Sequence, residues 1–90
     1  MAKIVLKDFF AAWCPPCKLQ APIIEALEKE MGKKVSFEEI DIDKNASEAG
    51  EFNVMAVPTT IILRDGKEVR RFVGLIQKDA LKKALEEAMK

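Results

Sequence analysis

The two cysteines of this chain lie in one short motif, WCPPC, at residues 13–17. They are separated by two prolines, at the point where an apolar run gives way to a predicted helix. A thiolate at a helix start is stabilised by free N–H groups and by the positive end of the helix dipole, and a sulfur one turn later lies on the same face. The spacing of Cys14 and Cys17 therefore predicts reversible disulfide chemistry, in which one cysteine attacks and the other resolves.

Two other roles for the cysteine pair, a structural cross-link and a zinc site, have weaker support from the sequence. As a structural cross-link, the bridge closes a loop of about four residues, for which loop entropy gives only about 2 kcal/mol of stabilisation, against about 3 kcal/mol for a loop of about fifteen. As a zinc site, the pair lacks partners, because the chain has no other cysteine and no histidine. We therefore expect no metal and no cofactor within one chain, whereas a cluster shared between two chains stays open.

Composition restricts the class of protein. The 90 residues, 49% of them hydrophobic, suffice for a modest core, and we expect residues 1–90 to form a single domain. Fifteen basic and fifteen acidic residues cancel, which argues against nucleic acid or an anionic membrane as a partner. Lys7 and Asp8 interrupt the first apolar stretch, so we expect no membrane span. The N-terminus also has no signal-peptide pattern. The expected location is cytoplasmic, where a CxxC pair is more often catalytic than structural.

The hydrophobic pattern predicts seven elements in the order βαβαββα. The first strand and helix form a parallel βαβ unit with the next strand, and an antiparallel hairpin turned at Asp65-Gly66 precedes the last helix. The predicted strands are 4–11, 35–42, 59–63 and 69–73, and the predicted helices are 14–31, 45–52 and a final amphipathic helix through residues 81–89. We place five residues on the inner face of the first helix: Leu19, Ile23, Ile24, Leu27 and Met31.

Over nearly its whole length the chain resembles the thioredoxin family. Motifs occur in the family's order and spacing, as DFFAAWC at 8–14, proline at 22, VPT at 57–59, DG at 65–66 and FVG at 72–74. The resemblance implies a truncated thioredoxin fold of the α/β class, in which helices flank a four-stranded mixed sheet, because the family's first strand and helix have no counterpart here. It also implies an enzyme that reduces disulfides in protein substrates and draws electrons from a thioredoxin-reductase-like donor.

The resemblance assigns roles to three residues that carry the chemistry. Cys14 corresponds to the family's exposed nucleophile and Cys17 to its buried resolving thiol. Asp8 corresponds to the buried aspartate beneath the second cysteine, where desolvation raises the pKa enough for the carboxylate to accept that thiol's proton. Without the resemblance, Asp8 would be read as a solvent-facing residue of the strand.

Four further residues correspond to the family's substrate-docking surface. Pro58 matches a cis-proline that faces the cysteines, although taken alone it would be an ordinary proline at a strand start. The backbone of Val57 would then pair with an extended substrate segment. Gly74 matches a glycine that lets substrate backbone come close, with a plain turn glycine as the alternative. Trp13, which lies next to a sulfur, is expected to form one wall of a shallow apolar docking surface, with a large residue that merely flanks the helix start as the alternative.

Three residues at the site depart from the family pattern. Pro15 and Pro16 replace the common Gly-Pro, which stiffens the turn, removes an amide donor and leaves the redox potential open in size and direction. Glu39 stands where many thioredoxins place a lysine near the buried aspartate. If Glu39 points inward, the two carboxylates oppose each other's ionisation and raise the pKa values of the pair.

Without the family's first strand and helix, the strand at 35–42 becomes an edge strand whose charged residues discourage pairing. The stem of Lys7 is then expected to lie on the sheet with its amine in water. Val5 and Phe9 on the same face are expected to be less covered. We therefore predict a monomer, with weak dimerisation through this face as an alternative.

Two other classes of function remain as alternatives. A glutaredoxin-like enzyme would draw electrons from glutathione, but the active motif lacks the tyrosine that glutaredoxins usually carry. A non-enzymatic binding module, or a dimer that holds a cluster between two Cys14 thiolates, is the third hypothesis.

Overall fold

The order of elements agrees with the sequence-based prediction. The computed structural model describes residues 2–90 and contains β1 (Ile4–Phe10), α1 (Pro15–Met31), β2 (Val35–Asp41), α2 (Ala46–Glu51), β3 (Thr59–Arg64), β4 (Lys67–Val73) and α3 (Lys78–Met89). The predicted βαβαββα order is confirmed, with boundaries that differ by three residues at most; β4 begins two residues earlier than predicted. No helix within residues 2–90 has the length and apolar character that crossing a membrane requires.

The four strands form one mixed sheet in the order β2-β1-β3-β4. Strand β1 is parallel to β2 and antiparallel to β3, and β3 and β4 form an antiparallel hairpin. The hairpin turns at Asp65 and Gly66, whose positive φ angles of 52° and 83° are those of the turn type that matches strand twist. Strand β2 lies at an edge, as predicted, and β1 is central, which explains why β1 is almost entirely buried.

Helices α1 and α3 cover one face of the sheet. Their buried side chains pack on Ile4 and Leu6 of β1 and on Ile62 of β3, and form the larger part of the core. Residue Gln20, not Leu19, belongs to the inner face of α1: Leu19 is 61% exposed and Gln20 is fully buried. The prediction for Leu19 was wrong because the buried positions of α1 start from Cys17 and advance by three or four residues, which passes through Gln20.

Helix α2 and the segment after it cover the other face. Val5 and Phe9 pack there with Ala49 and with Phe52, whose ring centroid is 5.8 Å from that of Phe9. Both Val5 and Phe9 are buried, so the expectation that this face is poorly covered was wrong. A short helix and one aromatic side chain are sufficient, because Ile40 of β2 and Ile61 and Leu63 of β3 belong to the same buried cluster.

Lys7 lies on this same face and is held by two carboxylates. Its Nζ is 2.8 Å from Glu38 Oε1 and 2.6 Å from Glu48 Oε2, and it lies 5.4 Å from the centroid of the Phe52 ring. Burial lowers the pKa of Lys7, but the hydrogen bonds to Glu38 and Glu48 outweigh burial and raise it. The predicted amine in open water was therefore wrong, because α2 supplies a partner where the sequence suggested bare sheet.

Candidate active site

The Cys14–Cys17 disulfide lies at the N-terminus of α1. Cys14 is the N-cap, with extended backbone angles, and its Sγ accepts a hydrogen bond of 3.2 Å from the N–H of Cys17. Pro15 and Pro16 occupy the first two helical positions, where the N–H group that proline lacks would have no partner within the helix. The motif thus fixes the helix start and places both sulfurs at the end where N–H groups favour negative charge.

Both cysteines are buried in the disulfide form. Cys14 is only 2% exposed, so the expectation of an exposed nucleophile was wrong for this state of the protein. Cys14 and Cys17 pack with Ala11, and Val57 lies against this small cluster. The Cys14 Sγ is 3.7 Å from the Val57 carbonyl oxygen, so the loop before β3 covers the sulfur that was expected to face solvent.

Asp8 lies on the α1 face of β1 and its carboxyl group is buried. Among the described residues, Asp8 Oδ1 has no hydrogen-bond partner. Burial, and after it the charge of Glu39, raise the pKa of Asp8 to about 7. The predicted desolvation of Asp8 is confirmed, and an unpartnered buried oxygen explains why the neutral acid is favoured.

A cavity of about 220 Å³ connects the buried carboxyl with the disulfide. Asp8 and Cys17 both line it, and Lys18 and Glu39 lie at its exposed rim. This volume is large enough for water, and a carboxyl with a pKa of about 7 exchanges protons readily at neutral pH. The arrangement can therefore move a proton between Cys17 and Asp8 without a direct contact between their side chains.

The Val57-Pro58 loop lies beside the disulfide. The Val57–Pro58 peptide bond is cis, as predicted. The N–H of Gly74 donates a 2.8 Å hydrogen bond to the Pro58 carbonyl oxygen, which joins the end of β4 to this loop. Gly74 has a φ of +98° and no atom within 4 Å of the place where a Cβ would stand, so its conformation favours glycine and its surroundings are open.

Trp13 projects from the site and is 66% exposed. Its Nε1 donates a 2.9 Å hydrogen bond to Asp43 Oδ2, in the loop after β2. Met55, just before the cis-proline, is 93% exposed. Neither Asp43 nor Met55 was among the site residues predicted from the sequence. Met55 could have been found from the sequence, because it is a large apolar residue outside any periodic pattern. Nothing in the sequence indicated that Asp43 reaches Trp13.

A disulfide at a helix start that shares a cavity with a buried carboxyl places this chain in the class of dithiol–disulfide oxidoreductases. Their chemistry needs one sulfur that helix N–H groups stabilise as a thiolate, and one group that accepts the second thiol's proton. Among residues 2–90, no group of three or more His, Cys, Asp or Glu side chains is arranged to hold a metal ion.

Comparison with known proteins identifies the family. The thioredoxin family model matches residues 1–87. The chain is 47% identical over 78 residues to a thioredoxin of Bacillus subtilis (strain 168), a match that covers 87% of this chain and 75% of the relative. It is 48% identical over 82 residues to a thioredoxin of Chlamydia muridarum (strain MoPn / Nigg), with 91% and 79% covered.

Solved structures agree with the sequence matches. A mutant thioredoxin from Halobacterium salinarum NRC-1 superposes with a TM-score of 0.91 at 36% identity, over 98% of this chain and 76% of the other. The thioredoxin of Fasciola hepatica superposes with a TM-score of 0.88 at 40% identity, over 96% and 81%. The chain belongs to the thioredoxin family and is a thiol–disulfide oxidoreductase that acts on protein disulfides.

Proposed function

We propose that this chain is a cytoplasmic, monomeric, single-domain reductase of protein disulfides that receives its electrons from a thioredoxin-reductase-like enzyme. The observation that carries the proposal is the cavity shared by Asp8 and Cys17, because a proton acceptor with a pKa of about 7 suits the resolving step of a dithiol reductant. The absence of net charge fits protein partners better than nucleic acid or membrane surfaces.

The proposed cycle starts with the reduced dithiol. The Cys14 thiolate attacks one sulfur of the substrate disulfide, the substrate S–S bond breaks, and the leaving thiolate takes a proton from solvent. Asp8 then accepts the Cys17 proton through the cavity, and the Cys17 thiolate attacks Cys14 Sγ. The Cys14–Cys17 disulfide forms as the bond between Cys14 Sγ and the attacked substrate sulfur breaks, and that sulfur leaves with the electron pair. The donor enzyme later returns two electrons to the disulfide.

The surrounding residues have separate roles in the proposal. Trp13 and the Val57-Pro58 loop bind the substrate segment next to its disulfide, and Gly74 gives that segment room. The Trp13 indole, oriented by Asp43, offers a large apolar surface to the target.

Three further residues tune the dithiol. Pro15 and Pro16 restrict the turn and Glu39 raises the pKa of Asp8, so these residues set the redox potential and the rate of resolution.

Reduction of insulin disulfides tests the proposal. The reduced protein should turn over insulin when coupled to NADPH and a thioredoxin reductase, and much more slowly when coupled to glutathione and its reductase. A Cys14→Ser/Cys17→Ser double variant serves as the control for background. Turnover with glutathione alone would identify a glutaredoxin-like enzyme. No turnover with either system would contradict the proposal and favour a non-enzymatic binding module.

A further inference from the structure

Gln20 is a polar residue on the buried face of α1, where the other buried positions are apolar. It is fully buried on the inner face of α1, three residues after Cys17. Its Nε2 donates to the Ile76 carbonyl oxygen at 2.9 Å, and its Oε1 accepts from the Ile76 N–H at 2.9 Å. One side chain thus pairs with both backbone groups of a residue 56 positions away.

This pairing is specific to a primary amide. A carboxylate offers no donor, and an aliphatic side chain would leave the Ile76 N–H and carbonyl without partners in the protein. The Gln20 side chain therefore pairs with both backbone groups of Ile76, as a neighbouring strand would, and holds Ile76 against the helix that carries Cys17.

The residue that Gln20 holds lies in segment 74–77, which joins β4 to α3 and has no regular secondary structure. At the other end of the segment, the Gly74 N–H bonds to the Pro58 carbonyl oxygen, within the loop that contacts Cys14. Between these two anchors, Leu75 is about half exposed, and among residues 2–90 neither its N–H nor its carbonyl has a protein partner. The segment therefore presents unpaired backbone groups while its ends are fixed.

We propose that Gln20 is a positioning residue for protein substrates. Its amide holds segment 74–77 at a set distance from the CxxC helix, so that the free backbone groups of Leu75 can pair with a substrate chain whose disulfide reaches Cys14. The proposal rests on the proposed function, since it concerns how protein disulfides dock. A small disulfide that has no docked chain does not use this segment.

Substitution of Gln20 separates the two kinds of substrate. For Gln20→Leu and Gln20→Met, we expect kcat/KM for insulin to fall about tenfold, mainly through KM, while reduction of the small aromatic disulfide DTNB changes less than about twofold. Amide exchange at Ile76 should become faster in both variants. Ile24→Val, also on the buried face of α1, is the matched control: it removes packing but keeps the Gln20 pairing, so its insulin and DTNB rates should stay in the wild-type ratio.

The outcomes distinguish this proposal from the proposed function. If wild type does not reduce insulin, the proposed function fails; if wild type is active and the Gln20 variants keep the wild-type ratio of insulin to DTNB rates, only the role of Gln20 fails. Should neither variant fold, a substrate peptide linked to Cys14 in the Cys17→Ser variant provides the measurement. Slower exchange of the Leu75 amide in that adduct supports the proposal, and unchanged exchange overturns it.

Discussion

Asp8 and Glu39 are direct register partners in the parallel strands β1 and β2, and both side chains line the cavity that Cys17 also reaches. The two carboxyl groups differ in solvation, since Asp8 is buried and Glu39 is exposed. The buried carboxyl carries the raised pKa, about 7, and the exposed one adds its charge to that effect. Strand register, which sets Glu39 beside Asp8, and the burial of Asp8 together place the pKa of Asp8 near neutral pH.

We predict that Asp8→Asn stabilises the oxidised protein and slows resolution of the mixed disulfide. The pKa of Asp8 is raised from 3.8 to about 7, so its ionisation disfavours the folded state increasingly between these values and by a constant amount above pH 7. We expect a gain of up to about 4 kcal/mol in the free energy of unfolding at pH 8, the amount that corresponds to the difference between these pKa values, and little change at pH 3 where the carboxyl is mostly protonated in both states. Denaturant melts across pH measure the stability. Loss of stability at every pH, with normal single-turnover resolution, would show that Asp8 is not the proton acceptor.

We predict that Glu39→Gln lowers the pKa of Asp8 by about half a unit, because it removes the like charge but leaves the burial in place. NMR titration of the Asp8 carboxyl carbon measures this value directly. Glu38→Gln is the matched control, since Glu38 binds Lys7 on the opposite face of the sheet. An equal shift in both variants would mean that net charge, not the Asp8–Glu39 pairing, sets the pKa.

The two cysteines should behave differently although both are buried. Cys14 is the N-cap residue whose sulfur accepts the Cys17 N–H, so its thiolate is the better stabilised of the two. We expect Cys17→Ser to accumulate a stable mixed disulfide with insulin and Cys14→Ser to accumulate none, as measured by mass spectrometry. The reverse distribution would exchange the roles of attacking and resolving cysteine.

Asp43 is predicted to hold the exposed Trp13 in place. Since Trp13 is the only tryptophan of the chain, its fluorescence anisotropy reports directly on the indole. Asp43→Ala should lower the anisotropy and reduce kcat/KM for insulin about two- to fivefold, the effect of losing one exposed hydrogen bond. Ala substitution of Asp79, a surface residue of α3, is the control. Unchanged anisotropy would mean that the hydrogen bond does not restrain Trp13 in solution.

The ion pair between Lys7 and Glu48 should stabilise the protein modestly. A double-mutant cycle of Lys7→Met and Glu48→Gln is expected to give a coupling free energy of about 1 kcal/mol, because the pair is partly buried and further supported by Glu38. The hydrogen bonds of Lys7 raise its pKa, so this contribution is present at neutral pH and is lost as pH rises through the raised value. Additive effects of the two substitutions at pH 7 would contradict the prediction.

The sequence-based predictions were wrong where the burial or the contacts of a residue depend on parts of the protein that are distant in sequence. Leu19 and Gln20 are adjacent, and only the rotation of α1 on the sheet decides which is buried. Lys7 was assigned to water and Phe9 to a bare surface, because the sequence did not show that α2 and Phe52 fold back over β1. Cys14 was expected to be exposed, and the Val57 carbonyl that approaches it comes from 43 residues further along the chain.

What the sequence determined by itself was the order of elements and the position of the dithiol. Apolar runs of strand length, helical spacing, prolines in a first helical turn and Asp-Gly at a hairpin are local properties, and local sterics and hydrogen bonding enforce them. The tertiary structure alone decided that Gln20 pairs with Ile76 and that Lys7 pairs with Glu48. Burial and charge–charge effects depend on distance in space, and packing rather than sequence separation sets those distances.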